Sequence, residues 1–344
     1  MNLMQNKPEI QSQLDHIQKM CKAIQPVVVV KCMVYNQENY IKETLDGFVK
    51  QKTNFPFVVI IHDDASTDHS QEIISSYVER YSNLFLPIFE QQNLYSKRDG
   101  SLDKILFQAI LSTKAKYIGI CEGDDYWIDD LKLQKQKDFL DAHPDYGMCY
   151  GLVQRYSQEQ KQVIGIGGSD KCSFRDIVHT NRIPTLTVLY RSDLFRSYYE
   201  VIKPFEKKWK MGDKPLWLWI ALKSNIYFMQ DLMGVYRITL NSASHTQSFL
   251  KWLEFIISAN EIELFFLKLA GQPDSMNQIA YSAHKLMEAI ELGDRIGKKR
   301  YRKQLCQNFK YPKSRKWVLY VGLIICPNLT TKLAKKIYLY RNQR

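Results

Sequence analysis

Three carboxylates fall within four positions in Cys121-Glu122-Gly123-Asp124-Asp125-Tyr126-Trp127, directly after an apolar run. Acids this close resist ionising together unless something positive neutralises them. A divalent cation bridging to a diphosphate does so, since Mg²⁺ or Mn²⁺ takes few protein carboxylates and completes its shell with phosphate oxygens. The plainer alternative is an acidic turn that caps the next helix. Asp129 and Asp130 stand nearer to that helix and suit the capping role, which leaves Asp124 and Asp125 for the ion.

A second acidic run, His62-Asp63-Asp64-Ala65-Ser66-Thr67-Asp68, follows another apolar stretch. Asp68 or Thr67 is expected to be a helix N-cap. Asp63 and Asp64 come earlier and are expected to face the same crevice as the first run, where one of them accepts hydrogen bonds from a base edge or ribose. Tyr35-Asn36 adds an aromatic face beside that crevice. Asp213 opens a helical pattern with Pro215 in its first turn, a good capping arrangement by itself.

The elements that must hold these residues alternate in type. Val27–Val34, Phe57–Ile61, Leu84–Phe89, Lys116–Cys121 and Gly147–Leu152 have the pattern of strands. Helical stretches over 37–50, 68–81, 102–111 and 131–142 separate them. Strand–helix repeats imply an open α/β sheet, mostly parallel and flanked by helices. Such sheets bind ligands at the carboxyl ends of their strands. Thr185–Tyr190, Ile226–Met229 and Val235–Ile238 are further expected strands, and Lys214–Leu222 a helix. From Ser248 onward the periodicity is helical only, in Phe249–Leu269, Met276–Leu305 and two shorter pieces. The expected organisation is an N-terminal helix (1–25), a catalytic domain (26–245) and a helical, basic C-terminal region (246–344).

Val27–Asn36, His62–Asp68 and Glu122–Trp127, together with Asn93-Leu94-Tyr95, the 131–140 helix and Met211–Trp217, resemble the inverting family 2 glycosyltransferases, of bacterial polysaccharide type. The resemblance covers residues 26–240, and the motifs follow the family's order and spacing. It implies the GT-A (Rossmann-like) fold and a nucleotide-sugar donor, with Mn²⁺ or Mg²⁺ as cofactor. Tyr35 then borders the nucleobase and Asp64 hydrogen-bonds it. Glu122, at the first position of the family's DxD motif, or Asp124 holds the ribose. Asp124 and Asp125 form the metal side, and Lys97 or Arg98 reaches the diphosphate. Asp213 matches the catalytic base. The departures are Val34 in place of a Thr or Ser, and Ile238-Thr239 after Tyr236-Arg237, where many members soon carry a His. The nearest one here is His245. A Gln-x-x-Arg-Trp motif is absent, which favours addition of a single sugar.

Charge is divided unevenly. The net +12 over 344 residues comes from residues 295–344, with fifteen Lys/Arg and no Asp or Glu; residues 1–294 carry 33 basic against 36 acidic side chains. Basic clusters alternate there with Trp317, Tyr320, Ile324, Ile337 and Tyr340. That pattern suits an anionic membrane surface and an acceptor that is a glycan or lipid-linked glycan. It suits equally a solvated face on a helical cap. No nucleic-acid motif accompanies the charge, so no nucleic acid is expected as a partner. Seven scattered cysteines without a CxxC pair point to a reducing, cytoplasmic setting. Two other functions compete. One is a sugar-nucleotide nucleotidyltransferase, which needs a Gly-rich phosphate loop where this chain has Tyr35-Asn36-Gln37-Glu38. The other is a non-catalytic basic scaffold, against which the set Asp64, Asp124, Asp125 and Asp213 argues.

Overall fold

The computed structural model of the protein describes residues 8–239, 248–308 and 317–341. Among the described residues nine strands form one sheet: β1 (Val28–Val34), β2 (Phe57–Asp63), β3 (Phe85–Phe89), β4 (Tyr117–Ile120), β5 (Tyr126–Trp127), β6 (Tyr146–Ser157), β7 (Gln162–Gly167), β8 (Leu189–Arg191) and β9 (Asn225–Ile238). Their order is β3-β2-β1-β4-β8-β6-β9-β5, with β7 paired to β6. The α/β expectation holds. The half from β3 to β4 is parallel, whereas β8 runs against both β4 and β6, and β5 against β9. β6 and β9 pair in parallel.

The parallel half is apolar on both faces because helices cover both, as parallel sheets require. Val28, Val30, Cys32 and Val34 of β1 pack with Ile41, Leu45 and Phe48 of helix Ile41–Val49. On the edge strand β3, helix Pro8–Ile24 supplies Gln13, whose side-chain amide donates to the Phe89 carbonyl and accepts from its N–H. The same helix buries Ile10, Leu14, Ile17 and Cys21, the stripe expected from their spacing.

Three expectations are corrected. Thr185–Thr187 is a 3₁₀ turn, and only Leu189–Arg191 is strand; the Thr187 hydroxyl donates to the Pro184 and Gly151 carbonyls, which favours the turn. Ile226–Met229 and Val235–Ile238 are one strand, β9, with bulges against β6. Met276–Leu305 is two helices, Ser275–Glu291 and Arg295–Asn308. Gly293, at φ +69°, ends the first, with Gly293 N–H on Ile290 and Asp294 N–H on Ala289.

The chain divides into two compact units. One holds the described residues to Lys208 together with Leu216–Ile238; the other holds Trp209–Pro215 and the described residues from Thr239 onward. The regular elements among the second unit's described residues are helices, with their own core of Phe249, Leu253, Ile257, Ile279, Leu286, Leu305, Tyr320 and Leu323.

Candidate active site

β2, β1 and β4 are neighbours, so their carboxyl ends lie side by side. Val34 faces Asp63 in register, and Asp64 N–H donates to the Val34 carbonyl at 2.9 Å. Beyond β4 the chain stays on β1, with Gly123 N–H 2.9 Å from the Met33 carbonyl. A Cβ at Gly123 would sit 2.2 Å from Gln37 Oε1 and 2.9 Å from Val34, so only glycine lets the acidic turn come this close. The turn thus reaches the same sheet edge as Tyr35, which is 47% exposed.

The turn is held from behind. The Thr44 hydroxyl lies 2.9 Å from the Gly123 carbonyl and 2.6 Å from that of Asp125. Arg237, buried at the end of β9, gives its backbone N–H to Asp125 Oδ1 at 2.8 Å and its Nη1 to the Asp124 carbonyl at 2.8 Å. Its Nη2 pairs with Glu43, and its guanidinium lies 4.7 Å from the Tyr126 ring centre. Farther in, the fully buried Lys132 stands 4.1 Å over the Trp127 ring and donates to Gln136 Oε1. Burial pulls its pKa down to about 7.

The carboxylates differ in what they have. Glu122 accepts from Met33 N–H at 3.1 Å and lies 3.5 Å from Lys31 Nζ. The Asp124 carboxylate forms no ion pair among the described residues; burial first, then Glu122, raise its pKa. Asp125 is 5% exposed and is raised well above the carboxyl range by burial, then by Asp124. Among the described residues no three His, Cys, Asp or Glu side chains gather as a metal cage. An acidic pair of this kind, Asp124 half-buried and Asp125 buried, still fits a divalent ion that takes most of its oxygens from elsewhere.

The second acidic run departs from expectation. Asp63 and Asp64 share the strand end but do not stand open to a crevice. Asp63 accepts from Ser66 N–H, the Ser66 hydroxyl and Gln71 Nε2 at 2.6–2.9 Å. Asp64 accepts from the N–H groups of Leu94 and Tyr95 at 2.6 and 2.9 Å. Both are buried, and a buried carboxylate must find donors. The nearest donors here are the backbone amides of the chain's own turns. Asp64 thereby holds the loop that carries Lys97 and Arg98, both exposed. Asp68 accepts from Ser70 N–H beside the first turn of helix Ser70–Arg80, although His69 occupies the N-cap position. Asp129 likewise accepts from Leu131 N–H.

Asp213 begins helix Asp213–Lys223 and accepts from Lys214 N–H at 2.7 Å. Within the helical unit its strip is anchored on both sides. Lys210 N–H donates to Ser258 Oγ, and the buried Lys214 ammonium pairs with Glu263, which also accepts from Asn260 and Asn277. His245 and Lys313–Lys316 lie outside the described residues.

Thr44, Lys132 and Arg237 support the site without standing out in the sequence. Arg237 is marked in the sequence only by its place in the Tyr236-Arg237 pair. A lysine among apolar helix positions was the only sign of Lys132, and nothing marked Thr44.

Residues 30–184 match the Glycosyl transferase family 2 model. An uncharacterized protein of Mycobacterium tuberculosis (strain ATCC 25618 / H37Rv) is 49% identical over 210 residues, 59% of this chain and 56% of the relative. The chain thus spans little more than half the length of that relative. An uncharacterized glycosyltransferase of Methanocaldococcus jannaschii is 24% identical over 216 residues, 62% of this chain and 71% of its own. Among solved structures, S. aureus TarS in complex with UDP-GlcNAc superposes with TM-score 0.54 at 17% identity, covering 92% of this chain and 88% of that one. Residues 30–184, which take in most of β1 and all of β2 to β7, thus match a family 2 glycosyltransferase domain, on a fold shared with TarS.

Proposed function

We propose that this protein transfers a single sugar from a nucleotide-sugar donor to a hydroxyl acceptor with inversion, in the assembly of a cell-surface polysaccharide such as O-antigen, capsule or lipooligosaccharide. The observation that carries this is the Asp124 carboxylate. It is left without an ion pair among the described residues, beside a second buried acid, at the carboxyl end of the central parallel strands. Sites of this class lie there in open α/β sheets. A UDP-sugar is the donor to try first, since the TarS structures hold UDP and UDP-GlcNAc.

Asp124 and Asp125 would hold Mn²⁺ or Mg²⁺, with Glu122 or Asp124 at the ribose. When bound, the ion offsets charge on the departing nucleoside diphosphate. Tyr35 borders the base. Asp64 shapes that pocket by fixing Leu94 and Tyr95, and so presents Lys97 or Arg98 to the diphosphate. Asp213 takes the proton from the acceptor hydroxyl as it attacks. The acceptor is a glycan or lipid-linked glycan, met at the inner face of the cytoplasmic membrane.

A panel of nucleotide sugars, hydrolysed with and without Mn²⁺, tests the assignment. Metal-dependent release from one donor by the wild type, abolished in Asp124→Ala, is the expected result. Metal-independent release, or release unchanged by the substitution, would overturn it. Asp213→Asn should bind donor normally by calorimetry yet lose about 10²–10⁴-fold in transfer. Normal transfer would remove Asp213 from the role of base.

A further inference from the structure

Helix Pro327–Arg341 has two apolar sides. The inner one is used within the helical unit. Thr331 is fully buried, Ala334 and Tyr338 pack on the core, and Tyr338 meets Trp252 at 4.9 Å and Phe249 at 5.6 Å between ring centres. Lys335 on that side pairs with Glu291 at 2.6 Å.

The outer side is a ridge. Leu329, Leu333 and Ile337 recur every fourth residue and are 62%, 55% and 51% exposed, with Tyr340 exposed near the helix end; the preceding helix, Trp317–Ile325, ends on the exposed Ile325. Residues four apart stack on one helix face. Lys332 and Lys336 flank the ridge, both exposed and without an ion pair among the described residues. At the helix start lie Lys298, whose Nζ reaches Asn328 at 2.8 Å, and Arg302, whose Nε reaches the Ile324 carbonyl. No acidic residue occurs between positions 295 and 344.

We propose that this ridge is a binding face for an anionic lipid bilayer. Aliphatic side chains in line, edged by long cationic ones, match the acyl–headgroup boundary, where leucines enter and lysines extend to the phosphates. A second copy of the chain fits less well, because an isologous pairing would bring Lys332 and Lys336 against their own kind. A nucleic acid would meet aliphatic side chains where stacking rings belong. No described helix is long and apolar enough to cross a membrane, so contact would be made on the surface. The face gives the proposed membrane-side acceptor a physical setting, but lipid binding does not depend on sugar transfer.

The test is co-sedimentation of the full chain with vesicles of phosphatidylcholine and phosphatidylglycerol in equal parts, against pure phosphatidylcholine. Wild type should bind the anionic vesicles, and binding should weaken as salt is raised. Lys332→Glu with Lys336→Glu should lower partitioning by about tenfold or more. Leu333→Asn with Ile337→Asn should abolish it, while the melting temperature stays at the wild-type value because both side chains face outward. Equal binding to both vesicle types, or none to either, would overturn the proposal. So would a wild-type dimer by light scattering that the Leu333/Ile337 variant converts to monomer. Nucleotide-sugar hydrolysis by the same samples reads the acidic site separately, so either assignment can fail alone.

Discussion

At the end of β2, each of the four carboxylate oxygens of Asp63 and Asp64 accepts from a donor within its own or a neighbouring turn. At the end of β4, Asp124 has no ion pair among the described residues, and Asp125 accepts only from Arg237 N–H, with buried Arg237 and Lys132 side chains farther back. Two acidic runs that look alike in sequence are therefore met differently by the fold, and on the proposed function they do opposite work. Acids with their own donors fix backbone. Acids whose proton affinity is raised by burial and by each other are poised for a cation from outside. The contrast separates scaffold from site better than position in the motif does.

Exchanging the chemistry at the two ends should exchange the readouts. Asp124→Asn is expected to lower metal-dependent turnover by about 10²–10³-fold, the scale for loss of one electrostatic contact to a developing charge. Its melting temperature should hold or rise, because a repelled buried charge is gone. Arg237→Met should chiefly destabilise, by about 2–3 kcal/mol in urea unfolding, since the Asp124 carbonyl and Glu43 lose a charged donor together. Turnover should fall with it as the turn loosens. Asp64→Asn keeps one acceptor and aims an amide at an amide, so about 1–3 kcal/mol should be lost. Its donor KM should rise more than its kcat falls. If Asp64→Asn abolished turnover at full stability, the β2 end would be a site after all.

The sheet was legible because apolar runs of strand length alternate with helical periodicity from Val27 to Leu152, and no other arrangement buries β-branched residues on both faces. The acidic turns were legible as letters at strand ends. Which carboxylate would find donors was not, since that depends on where Ser66, Gln71 and the 94–95 amides fold. Ile337 stands out in the sequence as an apolar residue among basic ones, but its alignment with Leu329 and Leu333 on an outer face does not, for a related reason. A helix with apolar residues on two sides has no single stripe, and only the packing of Tyr338 and Thr331 tells which side is inside.

The smallest expected effect on turnover concerns Lys132, the amine behind the β4 end that touches no acid of the turn directly. In the folded chain burial holds its pKa near 7, against 10.5 for an ordinary lysine. Between those values the unfolded chain binds the proton and the folded one does not. Stability should therefore be greatest above about pH 10 and decline as pH falls toward 7, where the ammonium must be carried without water. Lys132→Met keeps the volume against Trp127 and removes the titration. Its unfolding free energy should be flatter across that window than the wild type's, with the variant the more stable of the two at pH 7. Parallel pH profiles for the two proteins would mean that Lys132 stays charged in the fold. In that case the Trp127 ring and Gln136 suffice to solvate it, and the β4 end is backed by two permanent cations rather than one.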